Sequence, residues 1–482
     1  MDILYRTRSF RARGWGLLGL LFPILSQATD LSAVWQAAQQ HDLGYQAAAA
    51  GHQAGQTQKD QASALWHPTV QASGTAGRMS SQSQTQGAQF SAPGFFPATN
   101  NANFNTSING GVLQRWSVSA RQPLISGDRL AQGRELDLKA QMADLQWDSE
   151  RQKLMLQTAQ QYFEVVLAST ALRVAQQQQQ AVEQALAEVQ QRYQVGDVPI
   201  TDTQEALARR ESIRAQVWAA QANLQVKQQA LVNTTGMSLT DLNLAAPLRG
   251  ALPDSGAAID QWIADASTHN LQWQEKTLEV EISREEAKRY SVAAAPSVDL
   301  VGEVDSDHLT GNGDYGSASN TLRTSLVGIQ VTIPLYTGGM RSAHQDEKTY
   351  LARQAQLSAD QLQQQVVLNT REAWLGVTTG IQRVEALAHA VKATEDRLAS
   401  TRLGQQVGDR SMLDLLNAQS DAASTRLAWL QARVAVLMDR LRLSALSGHL
   451  EDSDLQLVNQ QLDLPESISP VVPPSLPPAK HP

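Results

Sequence analysis

The sequence predicts an α+β membrane protein made by internal duplication, in which each chain supplies four β-strands and two long helical hairpins. Three observations carry that prediction. Val195 to Asp202 reads VGDVPITD and Val407 to Asp414 reads VGDRSMLD, an offset of 212 residues. The same offset pairs Arg129 with Arg341, Thr158 with Thr370, Leu231 with Leu443 and Gly236 with Gly448. Roughly a hundred residues of each half therefore match without a net gap, the mark of a duplicated structural unit. The second observation is a run from Arg129 to Tyr193 with no proline and a single glycine, Gly133. The third is a set of alternating stretches that follow Pro68 and Pro296 and lead up to Pro123 and Pro334.

In chain order, Arg6, Arg8, Arg11 and Arg13 precede an apolar stretch from Trp15 to Leu25 and a small-x-small site at Ser26-Gln27-Ala28. Residues 1–28 read as a secretory signal peptide, because the apolar run is too short for a membrane span. The first structural repeat is expected over 29–236 and a linker with Pro247 and Pro253 over 237–258. The second repeat spans 259–448, and a C-terminal segment, 449–482, ends in the proline-rich SPVVPPSLPPAKHP. Such a tail cannot bury enough apolar surface to order itself. Loss of four Arg and one Asp with the signal takes the formal charge from −8 to about −11, which argues against nucleic acid as a partner. There is no cysteine, hence no disulfide framework, thiolate metal site or lipidated cysteine.

Arg129–Tyr193 is long enough to reach roughly 100 Å as a helix. Its apolar residues Leu156, Ala159, Phe163 and Val166, then Val182, Leu186, Val189 and Tyr193, step by three and four, the seam of a coiled coil. The VGD turn then reverses the chain, with Gly196 and Gly408 suited to helix ends. Asp197 and Asp409 suit caps of the helices that follow.

The strands lie at the opposite end of each hairpin. Val70, Ala72, Gly74 and Ala76 alternate with Thr69, Gln71, Ser73 and Thr75, and Val298, Leu300, Gly302 and Val304 lie on one side with Ser297, Asp299 and Glu303 on the other. Their partners run up to Leu124 and Leu335, and polar loops are expected over Ser80–Gly111 and Ser306–Asn320. Period-two patterning with one small or apolar face is the weak signature of a membrane barrel strand, and any one strand alone reads equally as part of a soluble half-buried hairpin. Four strands cannot close a barrel, and an open edge in lipid leaves backbone groups unsatisfied. Two chains would give eight strands around a filled interior, whereas three give twelve and a lumen. The expected assembly is a homotrimer with a 12-stranded barrel that continues into an α-helical coiled-coil tunnel.

These features, in this order, resemble the TolC-like family of outer-membrane efflux channels. The matching residues are Gln122-Pro123-Leu124 with Gly127 and Arg129, and Ile333-Pro334-Leu335 with Gly338 and Arg341. The tips RYQVGDVPITDTQEA and QQVGDRSMLDLLNAQ complete the set. The resemblance implies a channel-tunnel in the outer membrane of a Gram-negative bacterium, extending into the periplasm and in contact with outer-membrane lipid. It also implies a periplasmic adaptor (a membrane fusion protein) and an inner-membrane ABC or proton-driven transporter as partners. The cargo is then an exported protein, as in type I secretion, or a small molecule, and the absence of a lipidated cysteine tilts the choice towards protein. By the same resemblance Asp414 and Asn417 form the constriction that selects ions, since rings of like charge act as selectivity devices. Arg410 latches the entrance against Thr201 and Asp202, with Gln405 and Tyr193 nearby. The tip residues Val195, Gly196, Asp197, Val407, Gly408 and Asp409 meet the adaptor. A helix-cap role for Asp202 and Asp414 stays open on the residues alone.

No phosphate loop GxxxxGK[ST] is present, so energy must come from a partner. The nine His residues form no HExxH or similar pattern, and His41 and His269 recur at matching positions, as packing would require. No cofactor, metal or enzymatic activity is expected. A periplasmic coiled-coil adaptor or scaffold is the alternative, and it would share the signal and the helices but lack barrel strands.

Overall fold

The structure is a computed structural model that describes residues 30–462, other than 91–98, 240–243, 248–249, 251 and 255. The signal peptide and the proline-rich tail lie outside the described residues. Helices α1 (Leu31–His41) and α2 (Leu43–Ala64) lead into strands β1 (Thr69–Phe90) and β2 (Thr99–Ile125), then α3 (Gly127–Gln194) and α4 (Ile200–Thr235). The order recurs as α5 (Ile259–His269), α6 (Leu271–Val292), β3 (Ser297–Gly313), β4 (Gly316–Thr332), α7 (Met340–Gln406) and α8 (Met412–Leu446). A short α9 (Asp452–Asn459) follows.

The four strands form one antiparallel sheet in the order β1-β2-β3-β4. Arg121 pairs with Thr69 and Val301, and Val301 pairs with Gly328, so side chains of alternate residues share a face across all four strands. One face carries Val70, Ala120, Val118, Leu300, Val304, Val327, Ile329 and Val331. Of these, Val327 is 82% exposed and Ile329 is 68% exposed in the single chain. That is the surface a lipid-facing band needs. Trp116 and Arg323 sit on the same row and bound it, Trp116 in the manner of the aromatic girdles at membrane interfaces. The opposite face carries Ser73 hydrogen-bonded to Ser117 at 2.7 Å. Arg115 there grips Asp307 with two bonds of 2.6 Å, and Leu322 and Leu326 interrupt the polar row.

Two expectations about the sheet need correction. Ser80–Gly111 and Ser306–Asn320 are not loops, because most of their described residues continue the strands in register. Main-chain pairing does not require apolar side chains, so a polar sequence pairs as well. At ~3.3 Å per residue, strands of this length outrun a membrane crossing of about ten residues, so the polar parts extend beyond the apolar band. The last strand also stops at Thr332 rather than Leu335, where Pro334 offers no N–H to the ladder.

Helix pairs α3–α4 and α7–α8 run as the two hairpins. The predicted seam on α3 is largely buried: Ala159, Phe163, Val166, Val182 and Leu186 are inside, while Tyr193 at the tip is exposed. The main core lies midway, where Leu31, Val34 and Trp35 of α1 and Leu455 and Val458 of α9 pack on Tyr162, Phe163, Leu231, Leu437 and Leu441. Trp35 Nε1 donates to Asp452 at 3.0 Å and Asn459 Nδ2 to Asp30 at 2.8 Å, so the first and last helices close one belt. Tyr162 Oη donates to the Ala245 carbonyl at 2.9 Å, and Arg433 Nε to the Pro247 carbonyl at 2.7 Å. These bonds hold the segment between the repeats against the hairpins. Burial pushes the Tyr162 phenol far up, so it stays a neutral donor. His41 packs on Gly236 and His269 on Gly448, the packing role expected for this pair.

Candidate functional site

At the free end of α3 the last turn closes with Gly196 N–H on the Tyr193 carbonyl (3.0 Å) and Asp197 N–H on the Arg192 carbonyl (2.9 Å). The second tip repeats this pattern with Gly408 on Gln405 (3.2 Å) and Asp409 on Gly404 (2.8 Å). Both glycines are left-handed, at φ +81 and +84, which is the Schellman ending that sequence reasoning placed there.

The aspartates that follow are not caps. Asp197 instead accepts from Arg192 Nε at 2.7 Å, a pair within the tip. Helix α4 begins at Pro199 without a side-chain cap, and α8 is capped by Ser411 rather than Asp409. In each case the cap position falls two residues later, because the turn consumes the aspartate before the chain regains extended geometry.

Asp414 is the N3 member of a capping box. Its Oδ2 accepts from Ser411 N (3.1 Å) and Ser411 Oγ (2.8 Å), while its own N–H donates to Ser411 Oγ (3.1 Å). The Ser411 hydroxyl first and the Ser411 N–H second, helped by the charges of Arg410 and Arg397, hold the carboxyl below the usual range. Capping and charge are therefore compatible: an exposed, firmly ionised carboxylate is fixed at the start of α8. The box was legible in the sequence as S-x-x-D.

Asn417 is half-buried and accepts from Arg209 Nη2 at 2.7 Å. That bond ties α4 to α8 beside a small cluster of Val182, Ala185 and Leu416. Arg209 carried no signal in the sequence that would have singled it out. Thr201 Oγ1 donates to Asp202 at 3.2 Å. Arg410 folds its stem across Gly404 and makes no hydrogen bond or ion pair with Thr201 or Asp202 of its own chain. Tyr193 is exposed and Gln405 half-buried. Val195 and Val407 are 80% and 73% exposed, two apolar knobs at matching places on the tips. Among the described residues no group of side chains could hold a metal ion.

The model of a family described as outer membrane efflux protein matches residues 34–237 and 262–449. The chain belongs to the outer membrane efflux protein family. The TolC outer membrane protein of Escherichia coli K12 is 25% identical over 338 residues, covering 69% of this chain and 68% of that protein. The protease secretion protein PrtF of Dickeya chrysanthemi is 26% identical over 433 residues, covering 89% and 90%. Among solved structures, the Campylobacter jejuni CmeC outer membrane channel superposes with a TM-score of 0.68 at 14% identity, over 90% of each chain.

This efflux channel is thus an outer-membrane protein with the trimeric channel-tunnel fold, its barrel in the membrane and its helices in the periplasm. The adaptor or scaffold alternative falls, because the four-stranded sheet and the family membership belong to a duct. Outer edges β1 and β4 are left for neighbouring subunits, which satisfies the main-chain groups that one chain alone cannot.

Proposed function

We propose that this channel is the exit duct of a type I secretion system, passing protein delivered by an inner-membrane ABC transporter through a periplasmic adaptor. The observation that carries this reading is the match to the protease secretion protein PrtF, which spans nine-tenths of both chains, whereas the TolC match spans about two-thirds. The test is to express the channel in a host lacking its own, with an ABC exporter and adaptor in one strain and a proton-driven drug pump and adaptor in another. Secreted protein in the first strain without drug resistance in the second is expected. Resistance without secretion would overturn the reading.

At the tips, three symmetry copies of Asp414 make an acidic constriction, and Arg410 latches across the subunit boundary to Thr201 and Asp202. The exposure of Arg410 and the absence of a hydrogen bond or ion pair from its side chain to Thr201 or Asp202 of its own chain support a bond to a neighbour. Val195 and Val407, exposed beside the VGD turns, are the apolar contacts offered to the adaptor. In planar bilayers the trimer is expected to give cation-selective openings. Asp414→Asn, which keeps an acceptor for Ser411 but removes the charge, should lose that selectivity. Unchanged selectivity would remove Asp414 from the constriction.

A further inference from the structure

The two hairpins are copies with one charge reversed at their centre. In the first, Glu164 on α3 accepts from Lys227 Nζ on α4 at 2.9 Å. Burial disfavours the Glu164 charge, but bonds from Gln160 and Lys227 outweigh it and hold the carboxyl below its ordinary range. The offset of 212 carries Glu164 onto Gly376 and Lys227 onto Asp439. The register is kept in space, because a Cβ placed on Gly376 would fall 2.8 Å from Asp439 Cγ. One turn on, a Cβ at Gly380 would fall 2.6 Å from Val436 Cγ2. Small residues four apart let α7 and α8 approach closely, and Asp439 fills the space that the acid and base share in the other copy.

Asp439 has no cation facing it from α7. Among the described residues its ion pair is with Arg442 on its own helix at 3.0 Å. It opens on a recess of about 960 Å³ whose other charged walls are Glu150 and Lys153 of α3, Glu275 and Lys276 of α6, Glu372 of α7 and Arg442 of α8. We propose that Asp439, seated against Gly376 where the first hairpin has an ion pair, makes the α7–α8 hairpin tighten in acid while α3–α4 does not.

The sign follows from burial. Desolvation pushes the Asp439 carboxyl above its ordinary value, against the smaller pull of Arg442. An acid raised in the folded state contributes stability that is complete below the ordinary carboxylate range and is lost as pH rises through the raised value. Glu164 behaves in the opposite sense: its contribution is present at neutral pH and fades only as pH falls through a lowered value. Acidification therefore favours the α7–α8 contact at Asp439 and disfavours the α3–α4 ion pair at Glu164.

The experiment is hydrogen exchange on the intact trimer, with peptides from α7–α8 around 366–384 and 430–446 compared against α3–α4 in the same sample. The internal ratio cancels the pH dependence of chemical exchange. In the wild type, protection of α7–α8 relative to α3–α4 should rise between about pH 7.5 and about pH 4, the ordinary carboxylate range. Asp439→Asn should show the higher ratio at both pH values, and Glu275→Gln, on the opposite wall of the recess, should keep the wild-type response. A flat wild-type ratio overturns the proposal. So does an Asp439→Asn channel that still responds, or a response abolished by Glu275→Gln. Because the readout is helix packing and not passage of cargo, its failure leaves the secretion reading untouched.

Discussion

Gly236 and Gly448 end the two hairpins at equivalent places, yet alanine should be tolerated unequally. Both are left-handed, at φ +67 and +76, so either alanine carries a conformational penalty of about 1–2 kcal/mol. The second penalty differs in what the new methyl meets. At Gly236 it meets the His41 ring, with Nδ1 at 2.6 Å and Cγ at 2.7 Å. His41 is exposed and can swing aside, which limits the overpacking term to the low end of about 1–3 kcal/mol. At Gly448 it meets the His269 main chain, with the carbonyl carbon at 2.8 Å. That segment is fixed by the next residue, buried Asn270, whose Nδ2 donates to the Leu446 carbonyl at 3.0 Å. Moving it would strain or break that bond, worth about 1 kcal/mol. Gly236→Ala should therefore cost about 2–3 kcal/mol and Gly448→Ala about 4–6 kcal/mol. Heat dissociation of extracted trimers gives the rank order, and hydrogen exchange of α1 and α5 gives the local effect. His41→Ala should recover the overpacking share in Gly236→Ala, whereas His269→Ala should recover little in Gly448→Ala, since the obstacle is backbone. Equal losses, or an equally full rescue by His269→Ala, would refute this account.

Three further outcomes are expected. Ser411→Ala removes the hydroxyl of the capping box and should destabilise the first turn of α8 by about 1 kcal/mol, seen as faster exchange at 412–416 with α4 unchanged. Because Ser411 bonds hold Asp414 below the ordinary carboxylate range, cation selectivity in bilayers should persist through mild acid and fail only as pH falls through that lowered value. The same Ser411→Ala change should move the failure to higher pH. Tyr162→Phe leaves the buried Ala245 carbonyl without this donor, at a cost of about 1–3 kcal/mol, and the exchange of 244–246 should speed up accordingly.

Much of the fold was legible because duplication writes each element twice. Pro123 and Pro334, Gly196 and Gly408, and the alternation around Val70 and Val298 mark element ends and faces by local chemistry alone. The polar half of each β-hairpin was misjudged because a strand beyond the apolar band pairs through main-chain groups and needs no pattern in its side chains. Asp197 and Asp409 were misjudged by two residues because capping depends on where the backbone leaves the turn.

The candidate site divides in the same way. Asp414 at N3 and the exposed valines beside the VGD turns follow from residue type and spacing. The Asn417–Arg209 bond and the seat of Asp439 on Gly376 do not, since each joins helices whose relative rotation is set by packing far from the contact. The sequence by itself determined a duplicated chain of long helices and apolar-faced strands that must borrow neighbours to close a barrel, because periodicity and unsatisfied edges are local properties. Only the tertiary structure decided which charges face one another across the hairpins, because a half-turn of helix rotation exchanges partners without altering any local pattern.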